Sequence, residues 1–134
     1  MTKFKNLIAV IIVAILLTAC GGGNEPSTTL KADMTDFHFT PGNFIVPAGQ
    51  EINFVGANSG AVVHEFIIMK LGTSVGDKFD AEDSVNILWQ IQVQPGSRVT
   101  GTFTIPDPGE YQVVCGVSGH LAAGMVAKLV VAAP

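Results

Sequence analysis

The sequence is poor in basic residues, and this excludes one class of partner. It contains 7 Lys and Arg against 11 Asp and Glu. Lys3 and Lys5 lie in a leader that we expect to be removed, which leaves a net charge of about −6. Such a surface does not suit nucleic acid, whose phosphates are bound by clustered Lys and Arg. The acidic stretch at residues 77–83 is either solvated surface or a docking site for a basic protein.

The sequence also lacks an apolar run of transmembrane length. The run Leu7–Leu17 is too short to cross a bilayer and is typical of a signal-peptide core. It ends in Leu-Thr-Ala-Cys, with Cys20 directly after a small-residue cleavage site. This pattern resembles the bacterial lipoprotein signal, which implies a lipidated Cys20. The alternatives are an ordinary secretory leader or an uncleaved membrane anchor.

These features predict how the chain is organised and where it is located. Residues 1–19 are interpreted as the signal peptide, and residues 20–29 as the lipidated cysteine with a small, polar tether. Residues 30–134 then form one folded domain, which is long enough to bury a core. We expect this domain to be exported and lipid-anchored to a bacterial membrane, facing the periplasm or the cell exterior.

Cysteine is scarce, with only two in the chain. If Cys20 carries lipid, Cys115 is a single thiol in an exported domain and has no disulfide partner. An unpaired thiol in an oxidising compartment is a liability unless it is buried, paired between chains or bound to a metal.

No amphipathic helix of useful length is present. The chain instead shows short apolar runs between Pro-Gly and Gly turns, such as residues 62–70, 98–105, 110–115 and 125–133, and residues 85–93 alternate with a period near two. Residues 71–84 are irregular and are expected to form a long loop with room for a helical turn. The pattern predicts an all-β protein, an antiparallel β-sandwich of about seven strands.

One loop concentrates metal-binding side chains. In the segment CGVSGHLAAGM, Cys115, His120 and Met125 are five residues apart, and glycines between them allow the backbone to fold tightly. A thiolate, an imidazole and a thioether are soft or borderline ligands, which suit copper better than magnesium or calcium. A blue-copper centre needs two His, one Cys and a weak axial Met, so a second His must come from elsewhere.

Only two other histidines are available. His64 begins an apolar strand after a small, polar turn, and in a sandwich that strand can lie beside the Cys115–Met125 loop. His38 lies between Phe37 and Phe39. If both phenylalanines point inward, His38 points to solvent, so we assign it to the surface.

With these residues the chain resembles the cupredoxins, the small blue-copper family. Cys-x4-His-x4-Met is the loop spacing of auracyanin and rusticyanin within that family, and the resemblance spans about 100 residues. It implies a cupredoxin-like Greek-key sandwich of seven to eight strands. It also implies one copper ion bound by His64, Cys115 and His120, with Met125 as the long axial ligand.

The resemblance further implies a monomeric one-electron carrier that cycles between Cu(I) and Cu(II) and exchanges electrons with redox partner proteins. We therefore do not expect an enzyme. Oxidases and nitrite reductases of the superfamily use additional histidines, and this chain has three in all.

The chain departs from the family pattern beside the expected ligands. Many relatives have Asn after the first His, where this chain has Glu65, and Ser118 stands where Pro is common. Gly116 offers no side chain across the site. We expect these positions to affect the reduction potential rather than copper binding itself.

Other interpretations compete with electron transfer. Met and Cys also fill cores, and zinc is an alternative metal, although it prefers four strong ligands to a long thioether contact. An extracytoplasmic copper carrier or storage protein is the main functional alternative. Such proteins tend to have Met or His clusters, whereas Met34 and Met69 are isolated.

Overall fold

The structure is a computed structural model that describes residues 25–134. The predicted signal peptide, the lipidation residue Cys20 and the start of the tether lie outside the described residues. Within residues 25–134, no helix is long and apolar enough to cross a membrane.

The all-β prediction is confirmed, with nine strands in the described part of the chain rather than seven or eight. The strands are β1 Thr29–Thr35, β2 His38–Thr40, β3 Asn43–Pro47, β4 Glu51–Asn58, β5 His64–Met69, β6 Ile87–Val93, β7 Arg98–Thr104, β8 Gly109–Val114 and β9 Val126–Ala132. A 3-10 helix, Asp83–Asn86, begins at the end of the long loop predicted for residues 71–84 and provides a helical turn there. Strand β1 already begins at Thr29, the last residue of the predicted tether, because its inward side chains alternate into the core.

The strands form two sheets, in the orders β2-β1-β4-β7 and β3-β9-β8-β5-β6. The predicted sandwich is confirmed, with one correction: its sheets are mixed rather than antiparallel throughout, because β1 pairs with β4 and β3 pairs with β9 in parallel. Parallel neighbours require a connection that leaves the pair and returns. In each of these pairs, at least one strand of the other sheet lies between the two partners along the chain.

Aromatic side chains fill the core between the sheets. Phe54 and Phe66 are fully buried, with ring centroids 4.7 Å apart, and Trp89 packs on Phe54 at 5.2 Å. Alternation along each strand directs one set of side chains into this core and the other set to solvent. The core therefore supports β5, the strand that begins with His64.

Strand order also brings the two ligand segments together. Strand β8 ends beside the start of β9, so residues 115–125 form the connection between two paired antiparallel strands. Strand β5 runs antiparallel to β8, with Ile67 opposite Val114. The beginning of β5 consequently lies at the end of the sandwich from which the 115–125 loop projects.

Candidate metal centre

The loop between β8 and β9 is closed by its own backbone. The Met125 N–H donates to the His120 carbonyl at 2.9 Å, and the Cys115 N–H donates to the Met125 carbonyl at 3.3 Å. Gly119 and Gly124 have φ angles of +84° and +93°, a region that side-chain-bearing residues rarely adopt. The glycines thus allow the tight path that turns three side chains towards one point.

Three predicted donors meet in this structure. His64 Nδ1 lies 3.2 Å from His120 Nδ1 and 4.0 Å from Cys115 Sγ, and His120 Nδ1 lies 3.3 Å from the same sulfur. All three residues are buried. Two imidazole nitrogens and a sulfur so close together, without a carboxylate among them, form the donor set that favours copper or zinc.

The size of this donor triangle fits a metal ion. A point equidistant from corners separated by 3.2, 3.3 and 4.0 Å lies about 2.1 Å from each. Metal–nitrogen and metal–sulfur bonds are roughly 2.0–2.3 Å long. The three side chains therefore already have a separation that an ion could bridge.

Met125 is the fourth predicted residue, and it is fully buried where the loop enters β9. Its backbone bonds to both Cys115 and His120 keep it beside the triangle. Buried Met offers a weak thioether donor, which suits the long axial position of a copper site better than a strong zinc coordination.

The buried environment sets the protonation of the donors. Burial raises the pKa of the Cys115 thiol, against the opposing effect of hydrogen bonds from the backbone amides of Glu65 and Val117. Burial, and then the neighbouring His64, lower the pKa of His120. A neutral imidazole is the metal-binding form, and a thiol must lose its proton to bind.

A match to a family of known proteins identifies the family to which this chain belongs. A family model described as the cupredoxin-like domain matches residues 7–131. The chain belongs to the cupredoxin-like family. This membership confirms the resemblance drawn from the Cys115–Met125 loop and from His64.

The relatives of this cupredoxin include proteins that are described as copper proteins. The copper-resistant cuproprotein CopI of Rubrivivax gelatinosus is 30% identical over 119 residues, which cover 83% of this chain and 70% of the relative. Dithionite-reduced auracyanin from Roseiflexus castenholzii is 29% identical, with a TM-score of 0.68 over 81% of this chain and 99% of that chain. Auracyanin A of Chloroflexus aurantiacus, a blue copper protein, is 27% identical, with a TM-score of 0.64 over 81% of this chain and 100% of that chain.

The cofactor of this cupredoxin is one copper ion. The family supports this assignment, and the buried triangle of two imidazoles and one thiol, with Met125 adjacent, fits the ion. The expected copper cofactor is thus confirmed, and zinc has no comparable support.

Glu65 and Gly116, the two positions expected to affect the reduction potential, adjoin each other beside the site. A Cβ on Gly116 would stand 2.7 Å from Glu65 Oε2 and 2.9 Å from Ile67 Cδ1. Any larger residue at position 116 would therefore displace the Glu65 carboxylate or Ile67. The effect of Glu65 and Gly116 on the reduction potential stays a prediction.

His38 is exposed, as predicted, but only one of the two phenylalanines beside it points inward as expected. Phe39 is buried, whereas Phe37 is 40% exposed and has a φ of +70°. The Phe37 ring stands edge-on to His120, with centroids 5.1 Å apart. The positive φ breaks the strand alternation on which the expectation for Phe37 relied.

One residue that shapes the approach to His64 was not predicted from the sequence. Asn58 is buried and donates from Nδ2 to the carbonyls of Val62 and Val93, at 2.8 and 2.9 Å. Its Oδ1 accepts from the Gly60 N–H at 2.9 Å. The Asn-Ser-Gly sequence at residues 58–60 was the available signal, since it is typical of a side-chain-braced turn.

Proposed function

We propose that the protein is a one-electron carrier whose single type 1 copper ion is bound by His64, Cys115, His120 and, axially, Met125. The observation that carries this proposal is the preformed donor triangle, with sides of 3.2–4.0 Å, inside a packed core. When bound, copper supplies a reversible change between Cu(I) and Cu(II). A protein that already holds the donors close together keeps the structural change between these two states small.

The His120 side of the site supports electron exchange with another protein. His120 is the least buried of the four proposed ligands, and Phe37 covers its ring. Ala122 and Ala123 are exposed on the same loop, and Val62 is 42% exposed near His64. An apolar surface next to a ligand allows a redox partner to approach without a large cost in desolvated charge.

We also propose that the domain operates at a membrane. The lipoprotein-type sequence ending at Cys20 supports this location, facing the periplasm or the cell exterior. Cupredoxins generally work with redox partner proteins, and we propose that the partners here are reached at the same membrane. A lipid anchor restricts diffusion to a surface and so raises the effective concentration of partners held there.

A second candidate function is copper handling in resistance to the metal. The relative CopI, described as a copper-resistant cuproprotein, favours it. This candidate requires that copper be taken up or passed on. Electron transfer requires that copper stay bound while electrons move.

Repeated redox cycling of the copper-loaded protein distinguishes the two. For an electron carrier, we expect an intense blue absorption that disappears on reduction and returns on oxidation over many cycles. The amount of bound copper should remain constant when a Cu(I) chelator is present. Loss of copper to the chelator after each reduction would contradict electron transfer and favour copper handling, and a wild-type protein that never turns blue would contradict a type 1 site.

A further inference from the structure

A carboxylate lies behind His64, on the side away from the other donors. The His64 ring directs Nδ1 to Cys115 and His120, while Nε2 lies 3.4 Å from Asp36 Oδ1. Asp36 follows β1 directly, in the turn that leads into β2. It therefore comes from the opposite sheet to β5 and contacts the ligand strand from outside the metal-binding loop.

His64 Nε2 is a buried ring nitrogen that needs a hydrogen-bond acceptor. The side chain is fully buried, and Nε2 has no well-aligned hydrogen-bond partner among the described residues, since the 3.4 Å contact with Asp36 is long. When Nδ1 faces a metal, the proton of the neutral imidazole resides on Nε2. A buried N–H without an acceptor costs roughly 1–3 kcal/mol, so the Asp36 carboxylate is the acceptor that the position requires.

The neighbouring backbone holds Asp36 in this place. The Ala61 N–H donates to Asp36 Oδ1 at 3.0 Å. A Cβ on Gly60 would stand 2.4 Å from Asp36 Oδ1 and 2.9 Å from His64 Nε2. The φ of Gly60 is not positive, so glycine is needed here for the space it leaves between the carboxylate and the imidazole and not for its backbone conformation.

We propose that Asp36 is a positioning residue of the copper centre, whose carboxylate accepts the His64 Nε2–H and so fixes the ring orientation and the Nδ1 donor. This inference rests on the proposed role of His64 as a ligand. Carboxylates that accept from a metal-bound His raise its basicity as a ligand. The negative charge of Asp36 favours Cu(II) over Cu(I), and thereby lowers the reduction potential of the centre.

Two substitutions separate the negative charge of Asp36 from its role as a hydrogen-bond acceptor. Asp36→Asn keeps an acceptor oxygen for Ala61 and His64 but removes the charge. Asp36→Ala removes both. Asp33→Asn is the matched control, because Asp33 accepts from Ser59 Oγ at 3.0 Å in the same turn region and takes no part in the contact with His64.

The experiment measures Cu(II) affinity, reduction potential and the copper electron paramagnetic resonance spectrum of each purified variant. We expect Asp36→Ala to lower Cu(II) affinity roughly 10–100-fold, and Asp36→Asn to lower it less. Both substitutions should raise the reduction potential. The rise is about 59 mV for each tenfold by which the loss of Cu(II) affinity exceeds the loss of Cu(I) affinity. Asp33→Asn should match the wild type.

The outcomes are distinct. An Asp36→Asn protein with wild-type affinity and potential overturns the proposal, as does an equal shift in Asp33→Asn. If Asp36→Ala lowers thermal stability but leaves potential and spectrum unchanged, Asp36 only braces the turn. Should Asp36→Ala fail to fold, Asp36→Asn decides alone. A wild-type protein without the blue absorption contradicts the proposed function instead, before any variant is compared.

Discussion

The backbone N–H of Glu65 donates to Cys115 Sγ across 3.4 Å. A hydrogen bond to sulfur stabilises the thiolate and reduces the electron density that it gives to a metal. The Glu65 carboxylate acts in the opposite direction, because its negative charge raises the pKa of the Cys115 thiol. One residue therefore exerts two opposed influences on the sulfur, one from its backbone and one from its side chain.

Replacing Glu65 by Gln tests the side-chain influence alone. Gln has nearly the same shape and leaves the backbone N–H in place, so we expect the reduction potential to rise by tens of millivolts. About 1 kcal/mol of relative stability between the copper states corresponds to roughly 40 mV for one electron. Glu110→Gln, which removes the same charge at the far end of β8, is the control for potentiometric titration. Equal potentials in Glu65→Gln and wild type would show that the carboxylate does not tune the copper.

The proposed axial role of Met125 predicts a second change in the reduction potential. Met125→Leu removes a weak thioether donor from a fully buried position and keeps a similar volume. We expect copper to remain bound and the reduction potential to rise, as seen by potentiometric titration of the blue absorption. Met69→Leu is the matched control, since Met69 is equally buried but belongs to a separate cluster under the long loop. An unchanged potential in Met125→Leu would remove this residue from the axial role.

Copper loading should depend on pH through Cys115. Burial raises the pKa of its thiol, so the metal-free protein is protonated there at neutral pH and must release that proton when copper binds. Cu(II) affinity should therefore increase about tenfold per pH unit up to the raised thiol pKa. His120, with a lowered pKa, is already neutral at pH 7 and adds no proton.

Calorimetric titrations in buffers of different ionisation enthalpy measure the protons released per copper ion. Cys115→Ser supplies the control and should lose both the thiol proton and the blue absorption. Affinity that does not change between about pH 6 and pH 8 would contradict thiolate binding, as would a blue absorption that survives in Cys115→Ser.

The sequence predicted that the Cys115–Met125 loop would meet His64, because spacing and chemistry coincide in that loop. Cys115, His120 and Met125 lie in one short connection, and only two other histidines had to be considered. His64 was the better choice because it begins an apolar strand. Local information sufficed for these residues, as the paired strands β8 and β9 fix both ends of the loop.

Asp36 and Phe37 could not be found in this way. Both lie in the turn between β1 and β2, far along the chain from the ligands. Their contacts with His64 and His120 depend on how the two sheets face each other, and on a positive φ at Phe37. The parallel pairing of β1 with β4 was missed for the same reason, since strand alternation reveals burial but not the choice of neighbour.

A tyrosine contact outside the centre predicts an effect on stability. Tyr111 is buried, and its hydroxyl donates to the Asp107 carbonyl at 2.7 Å. Tyr111→Phe leaves that carbonyl without its donor and should lower the free energy of unfolding by about 1 kcal/mol. For a domain of this size the melting temperature should fall by roughly 4–8 °C. Thermal unfolding measures this change, and an unaltered melting temperature would show that water replaces the hydroxyl without cost. The copper spectrum serves as the control and should not change.

The proposed lipid attachment at Cys20 predicts where the protein is found. The residue stands directly after the Leu-Thr-Ala segment expected to precede cleavage. Cys20→Ala should block processing or release the domain from the membrane, whereas Cys115→Ser, which removes the other cysteine, should leave attachment intact. Membrane fractionation and mass spectrometry of the N-terminus measure the two outcomes. At most about 30 Å of extended chain separates Cys20 from the start of β1 at Thr29, so lipidation would hold that end of the sandwich near the bilayer. The proposed copper centre lies beside Asp36, at the other end of β1. A Cys20→Ala protein that is still cleaved and still membrane-bound would contradict lipidation and leave the location to another signal.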